Sequence, residues 1–186
     1  MSGKPDLSLP ARAPSMAHYR DEPECRLPIA LYSLVDLTDA ELEDYQRECE
    51  TGCIDTGNKQ GTCVRLAPQS RFIGQSLRAV FDYHIDLAAQ KTFEPFYFIA
   101  AVEKDWQTKG VILVTLDDDD GDCNVGLFRI KAVDSGLTVI NLQIWNMEWE
   151  EAKEYYEFNS DDDGGDDDDD IESDENEKDN EVDNDD

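Results

Sequence analysis

Three short, nearly unbroken apolar runs most constrain how this chain can fold: IALYSLV from Ile29 to Val35, FYFIAAV from Phe96 to Val102, and GVILVTL from Gly110 to Leu116. The first lacks the alternation of a half-exposed strand and reads as a strand buried on both faces. The second has the same buried character, and the third is rich in β-branched residues that favour a pleated surface. Gly126 to Ala132 alternates, with Leu127, Arg129 and Lys131 set against Phe128 and Ile130. It reads as the antiparallel partner of Gly110–Leu116 across the acidic turn Asp117–Asn124. Leu137 to Trp145 also alternates and is predicted as a further strand. Cys53 to Gln69 is dense in turn formers and is predicted as loop, with a short strand candidate at Thr62–Leu66.

Helices are punctuated more sharply. Thr38-Asp39-Ala40-Glu41 is a capping box, and Leu37 with Leu42 fits a hydrophobic staple. A helix is therefore predicted from Asp39 to about Glu50, with Leu42, Tyr45 and Cys49 on one face and Gly52 as terminator. A second is predicted from Arg71 to about Lys91, capped by Ser70 and ended by Glu94-Pro95, with Ile73, Leu77, Val80, Phe81, His84 and Ala88 on one stripe. A third is predicted from Met147 to about Phe158, capped by Asn146.

The predicted order is β-α-α-β-β-β-β-α. It implies an α/β (α+β) domain with a single mixed sheet of about five strands and about three helices packed on it. Residues 1–27 hold prolines at 5, 10, 14 and 23 with few apolar residues between them, and read as a disordered or loosely docked arm. Residues 28–159 form the single folded domain. Residues 160–186 cannot bury enough apolar surface to offset their chain entropy and read as a disordered acidic tail.

Charge narrows the partners. The chain of 186 residues carries a formal net charge of -29. Residues 161–186 hold 17 acidic residues and one lysine, a net of -16, which leaves -13 on the other 160 residues. Nucleic acid needs clustered cations, and here Lys59, Arg65, Arg71 and Arg78 are scattered singly. An anionic membrane surface is disfavoured for the same reason. Basic proteins fit, through attraction that weakens with salt. No apolar run reaches the ~18 residues of a membrane span, and the first residues lack the apolar core of a signal peptide. The expectation is an intracellular protein, cytoplasmic or nuclear, whose five cysteines are reduced thiols.

Each chemical motif competes with a plainer reading. Cys49, Cys53 and Cys63 have zinc-like residue types but lack the second short-spaced pair, so buried and loop thiols are the simpler account. A thiol enzyme would pair Cys49 or Cys63 with His84, yet His84 sits on the apolar stripe of a helix, where a core histidine is commoner. The Asp117–Asp122 turn fails the EF-hand pattern and reads as a solvated loop. No phosphate loop, nucleophile elbow or H-E-x-x-H motif occurs. No catalytic, cofactor or metal site is therefore assigned. Trp145 and Trp149 either close the core or, with Asn141 and Asn146, line an interaction surface. Ser160 precedes three aspartates, a context that acidophilic kinases favour, and Ser173 is a weaker instance.

The segment Asn141-Leu142-Gln143-Ile144-Trp145-Asn146-Met147, followed by Trp149-Glu150-Glu151, resembles the closing signature of a small domain-of-unknown-function family of bacteria and fungi. The strand before Asp36-Leu37-Thr38-Asp39, and Phe98–Ala101 followed by Val111–Leu116, are similar to that family's opening and central elements. The resemblance implies the fold and lends no catalyst. Function is therefore expected to be a non-enzymatic interaction module whose acidic tail binds basic proteins. The alternatives are a small hydrolase or thiol enzyme with a Cys/His pair, and an acidic histone-chaperone-like protein. Oligomeric state is left open by the exposed sheet edge.

Overall fold

The three apolar runs lie side by side at the centre of one mixed sheet. A computed structural model describes residues 4–14, 19, 26–118 and 122–157; the acidic tail expected at 160–186, with Ser160 and Ser173, lies outside them, as do His18 and Cys25. Among the described residues, strands β1 (Ile29–Ser33), β2 (Val64–Arg71), β3 (Tyr97–Ala101), β4 (Val111–Thr115) and β5 (Gly126–Ile130) are ordered β2-β1-β3-β4-β5. Every residue of β1, β3 and β4 is buried. Both edge strands are mixed in polarity, because an edge is covered less completely than the middle. β1 pairs in parallel with β2 and β3, and β3–β4 and β4–β5 are antiparallel.

Five helices pack around the sheet: α1 (Asp39–Asp55), α2 (Leu77–Ala88), α3 (Trp106–Lys109), α4 (Ala132–Gln143) and α5 (Trp149–Tyr156). The domain is thus of the α+β class, with the single mixed sheet read from the sequence. Alternate residues of each central strand feed two separate cores. Ile29, Leu31, Ile99, Val111, Leu113 and Phe128 face α1, α4 and α5. Ala30, Tyr32, Phe98, Ala100, Ile112 and Val114 face α2. The chain leaves β1 over one face through α1 to reach β2, then crosses back over the other face through α2 to reach β3. Opposite directions of travel with right-handed crossovers place the two helices on opposite faces.

Five predicted elements differ from the structure. Leu137–Trp145 is not a strand; Val133 to Gln143 belong to α4. Its β-branched residues are overridden by packing, since Ser135, Gly136, Thr138, Val139, Ile140 and Leu142 are all buried. The strand candidate Thr62–Leu66 marks the start of β2, which runs on to Arg71 through residues predicted as loop and carries Pro68 at a register irregularity on the sheet edge, where proline is tolerated. Helix α1 runs through Gly52 to Asp55. Gly52 is a packing residue: a Cβ there would lie 3.0 Å from Leu137 Cβ of α4. Ser70 belongs to β2 and α2 begins later, after Ser76. Finally, α5 is preceded by Glu148 rather than Asn146, and Glu151 reaches back to the Glu148 N–H at 3.4 Å. The capping box at Thr38 is present, with Thr38 N–H donating to Glu41 Oε2 at 2.7 Å.

Part of the proline-rich arm lies along the domain. Leu7 and Leu9 pack against the α2-side core, Asp6 C=O accepts the Leu77 N–H at 2.8 Å, and Arg12 bridges to Asn124 in antiparallel fashion. No helix among the described residues is long and apolar enough to cross a membrane.

Candidate functional site

The carboxyl ends of β2, β1 and β3 point to one edge of the sheet, and the segments that follow them converge there. Leu34-Val35-Asp36 follows β1, Ile73 to Ser76 lead into α2, and Val102 to Asp105 follow β3. With Lys4, Pro5 and Asp6 of the arm they line an open cleft of about 880 Å³. This is where open α/β sheets place ligands: outside the carboxyl ends of two neighbouring strands whose onward connections diverge, here β1 and β3. Two backbone bonds fold the β2–α2 segment over the end of β1. Phe72 N–H donates to Ser33 C=O at 2.7 Å, and Gly74 N–H donates to Leu34 C=O at 3.2 Å. Gly74 has φ of 72°, a left-handed turn that suits glycine.

Leu34 and Val102 are buried beneath the cleft, and Ile73 on its rim is 48% exposed. Its charged lining is Lys4 and Lys104 against Asp6, Asp36, Glu103 and Asp105. Glu103 is already held by Arg129, 3.1 Å away. Among the described residues no ion pair forms at Asp36 or Asp105. The cleft is therefore apolar below and acidic at the rim, a lining suited to the aliphatic stem and cationic head of lysine or arginine. Asp36 follows directly on an apolar run, after Val35, and Asp105 comes three residues after Val102, the end of another. That pattern marks the end of a strand in the sequence, but not which ends meet.

The candidate thiol chemistry is dispersed. Cys49, Cys53 and Cys63 lie in the core facing α1 and α4, whereas His84 lies in the core under α2, so the sheet separates them. Burial pushes the Cys49 and Cys53 thiols up to about 12. They stay protonated at neutral pH, as buried core thiols do. Among the described residues no group of three or more histidine, cysteine or acidic side chains is arranged to hold a metal. The pairing of Cys49 or Cys63 with His84 is not formed, because the sheet lies between them.

His84 is wholly buried, with Nδ1 2.9 Å from the Tyr32 hydroxyl. The carbonyls of Glu94 and Pro95 are near, but Nε2 makes no hydrogen bond of good geometry with either. Burial outweighs those carbonyls and lowers its pKa to about 4. It is a neutral core histidine. In the acidic turn, Asp117 Oδ1 accepts the Cys123 N–H at 3.1 Å and is thereby committed to the backbone.

The four residues read as an interaction surface divide. Trp149 is 2% exposed and packs on Phe128 and Tyr97, so it closes the core and is withdrawn from the surface. Trp145 is 73% exposed with φ of 56°. Its N–H donates to Leu142 C=O at 3.2 Å, and the Asn146 N–H donates to Asn141 C=O at 2.9 Å. These two bonds are a Schellman ending of α4, in which tryptophan holds the left-handed position usually given to glycine. Asn146 Nδ2 donates to Asn141 Oδ1 at 3.3 Å. Asn141, left without a role by local sequence, is thus part of a helix ending.

Comparison with protein-family models, with curated proteins and with solved structures found no match.

Proposed function

We propose that the chain is a non-enzymatic interaction module that engages basic proteins through its acidic body and the acidic tail at 160–186. The observation that carries this reading is the division made by the sheet. Cys49, Cys53 and Cys63 lie in one core and the only described histidine in the other, while an open cleft carries an acidic rim. A net charge of -29 adds long-range attraction for cationic partners. The test is retention of a lysine-rich histone on the immobilised full chain, compared with an acidic protein of similar size. A second full chain with residues 161–186 neutralised to Asn and Gln apportions the binding between tail and body. Retention of the histone alone supports the reading. Equal retention of both proteins, or of neither, refutes it.

A further inference from the structure

We infer that the track from the cleft to Asn124 is a binding site for an extended, net-cationic segment of a partner protein, and that residues 4–13 of the chain fill it in cis. This inference rests on the reading of the protein as a module for basic partners. It names the surface of the body that does the recognising.

The arm has the form of a peptide ligand. Along residues 4–9 the even-numbered positions are exposed and the odd-numbered ones half-buried, the two-residue period of a strand with one covered face. Leu7 and Leu9 pack against the α2-side core. Backbone bonds fix its two ends. Asp6 C=O takes the Leu77 N–H at one, and at the other Ala13 N–H donates to Cys123 C=O at 2.8 Å while Val125 N–H donates to Ala11 C=O at 3.0 Å. Main-chain bonds with alternate side chains in pockets are the means by which sheets and their borders bind extended peptides.

Charge gives the class of occupant. Residues 4–14 hold two cations, Lys4 and Arg12, against one anion, Asp6, on a body that is otherwise acidic. Lys4 stands in the cleft with Asp36 and Asp105, and Arg12 lies 3.7 Å from Asp122. That ion pair is two-thirds exposed on both sides and adds little to stability. The arm is thus held by half-buried leucines and a few backbone bonds, and a tethered segment of this kind competes at an effective concentration of about millimolar. A partner segment with better-placed cations displaces it.

The probe is a fluorescein-labelled peptide with the sequence of residues 1–14, titrated by anisotropy into four full-length chains: wild type, L7S/L9S, Lys4→Glu and D36K/D105K. Lys4 is exposed, so Lys4→Glu loosens the arm without touching a core and decides the matter if L7S/L9S fails to fold. The expected result is weak binding to wild type, binding about tenfold tighter to L7S/L9S and a smaller gain, about twofold, with Lys4→Glu. D36K/D105K should bind no peptide, nor should any chain bind a peptide with Lys4→Glu and Arg12→Glu. Arm variants that bind no tighter than wild type, or binding indifferent to charge at positions 36 and 105, overturn the inference. If the histone is retained while the peptide result is negative, the cleft assignment alone falls; if the histone is not retained, the parent reading falls.

Discussion

The Tyr32 hydroxyl lies 2.9 Å from His84 Nδ1, on the far side of the sheet from Cys49, Cys53 and Cys63. Its burial there makes His84 a pH-dependent element of stability rather than a base. Burial lowers its pKa from 6.5 to about 4, so the unfolded chain binds the proton first. The stabilisation is complete above pH 6.5 and is lost as pH falls toward about 4, by about 3 kcal/mol in all. Glu94, whose carboxyl is raised by burial, acts in the opposite sense, because acid relieves the cost of its charge. Urea denaturation of wild type and His84→Gln at a series of pH values should show a steeper acid loss for wild type between pH 6.5 and about 4. Parallel curves would contradict the assignment.

Glu50 is 1% exposed and clamps the segment between α1 and β2. Its carboxylate accepts the Gly61 N–H at 2.7 Å and the Cys63 N–H at 3.0 Å. Glu50→Ala leaves both donors without their partner and should cost about 2–3 kcal/mol in thermal or chemical denaturation. Lys59 or Glu48 changed to Ala provides the surface comparison, within about 0.5 kcal/mol of wild type.

Gly136 marks the crossing of α1 and α4. A Cβ there would penetrate the carbonyl oxygen of Cys49 and lie 2.9 Å from Val64 Cγ2. In an open helix Gly→Ala gains about 1 kcal/mol. Here Gly136→Ala should instead destabilise by about 3 kcal/mol, because the helices must separate. A melting temperature equal to or above that of wild type would contradict the close crossing.

Helix ends give a paired comparison. Thr38→Ala removes a working capping box and should cost about 1 kcal/mol. Asn146→Ala, at the residue the sequence reads as the cap of the last helix, should cost less than about 0.5 kcal/mol, since only one exposed side-chain bond is lost. Trp145→Gly should gain about 1 kcal/mol by relieving the left-handed backbone.

What was legible followed from local chemistry. The three apolar runs are the three central strands, because burial on both faces removes the need for alternation. Thr38 and Glu41 announce a helix start through groups three residues apart. Misreadings fell where a distant partner decides. Val139, Ile140 and Ile144 have strand propensity, yet α4 forms because Gly136 admits α1 closely. Thr62–Leu66 reads as a short strand candidate, but β2 beyond Leu66 looks like loop because an edge strand tolerates Pro68 and polar residues. The cleft was illegible for the same reason: Asp36 and Asp105 lie far apart in sequence, and only the parallel pairing of β1 with β3 joins them. The alternation at Leu7 and Leu9 was the available sign that the arm docks, masked by its prolines.

The measurement closest to the central claim is an equilibrium titration of the full chain with a labelled lysine-rich histone across salt. Affinity should fall steadily between about 50 and about 300 mM salt, and D36K/D105K should weaken it further at low salt. Affinity that does not change with salt, or no binding at low salt, would contradict a module built to receive basic proteins.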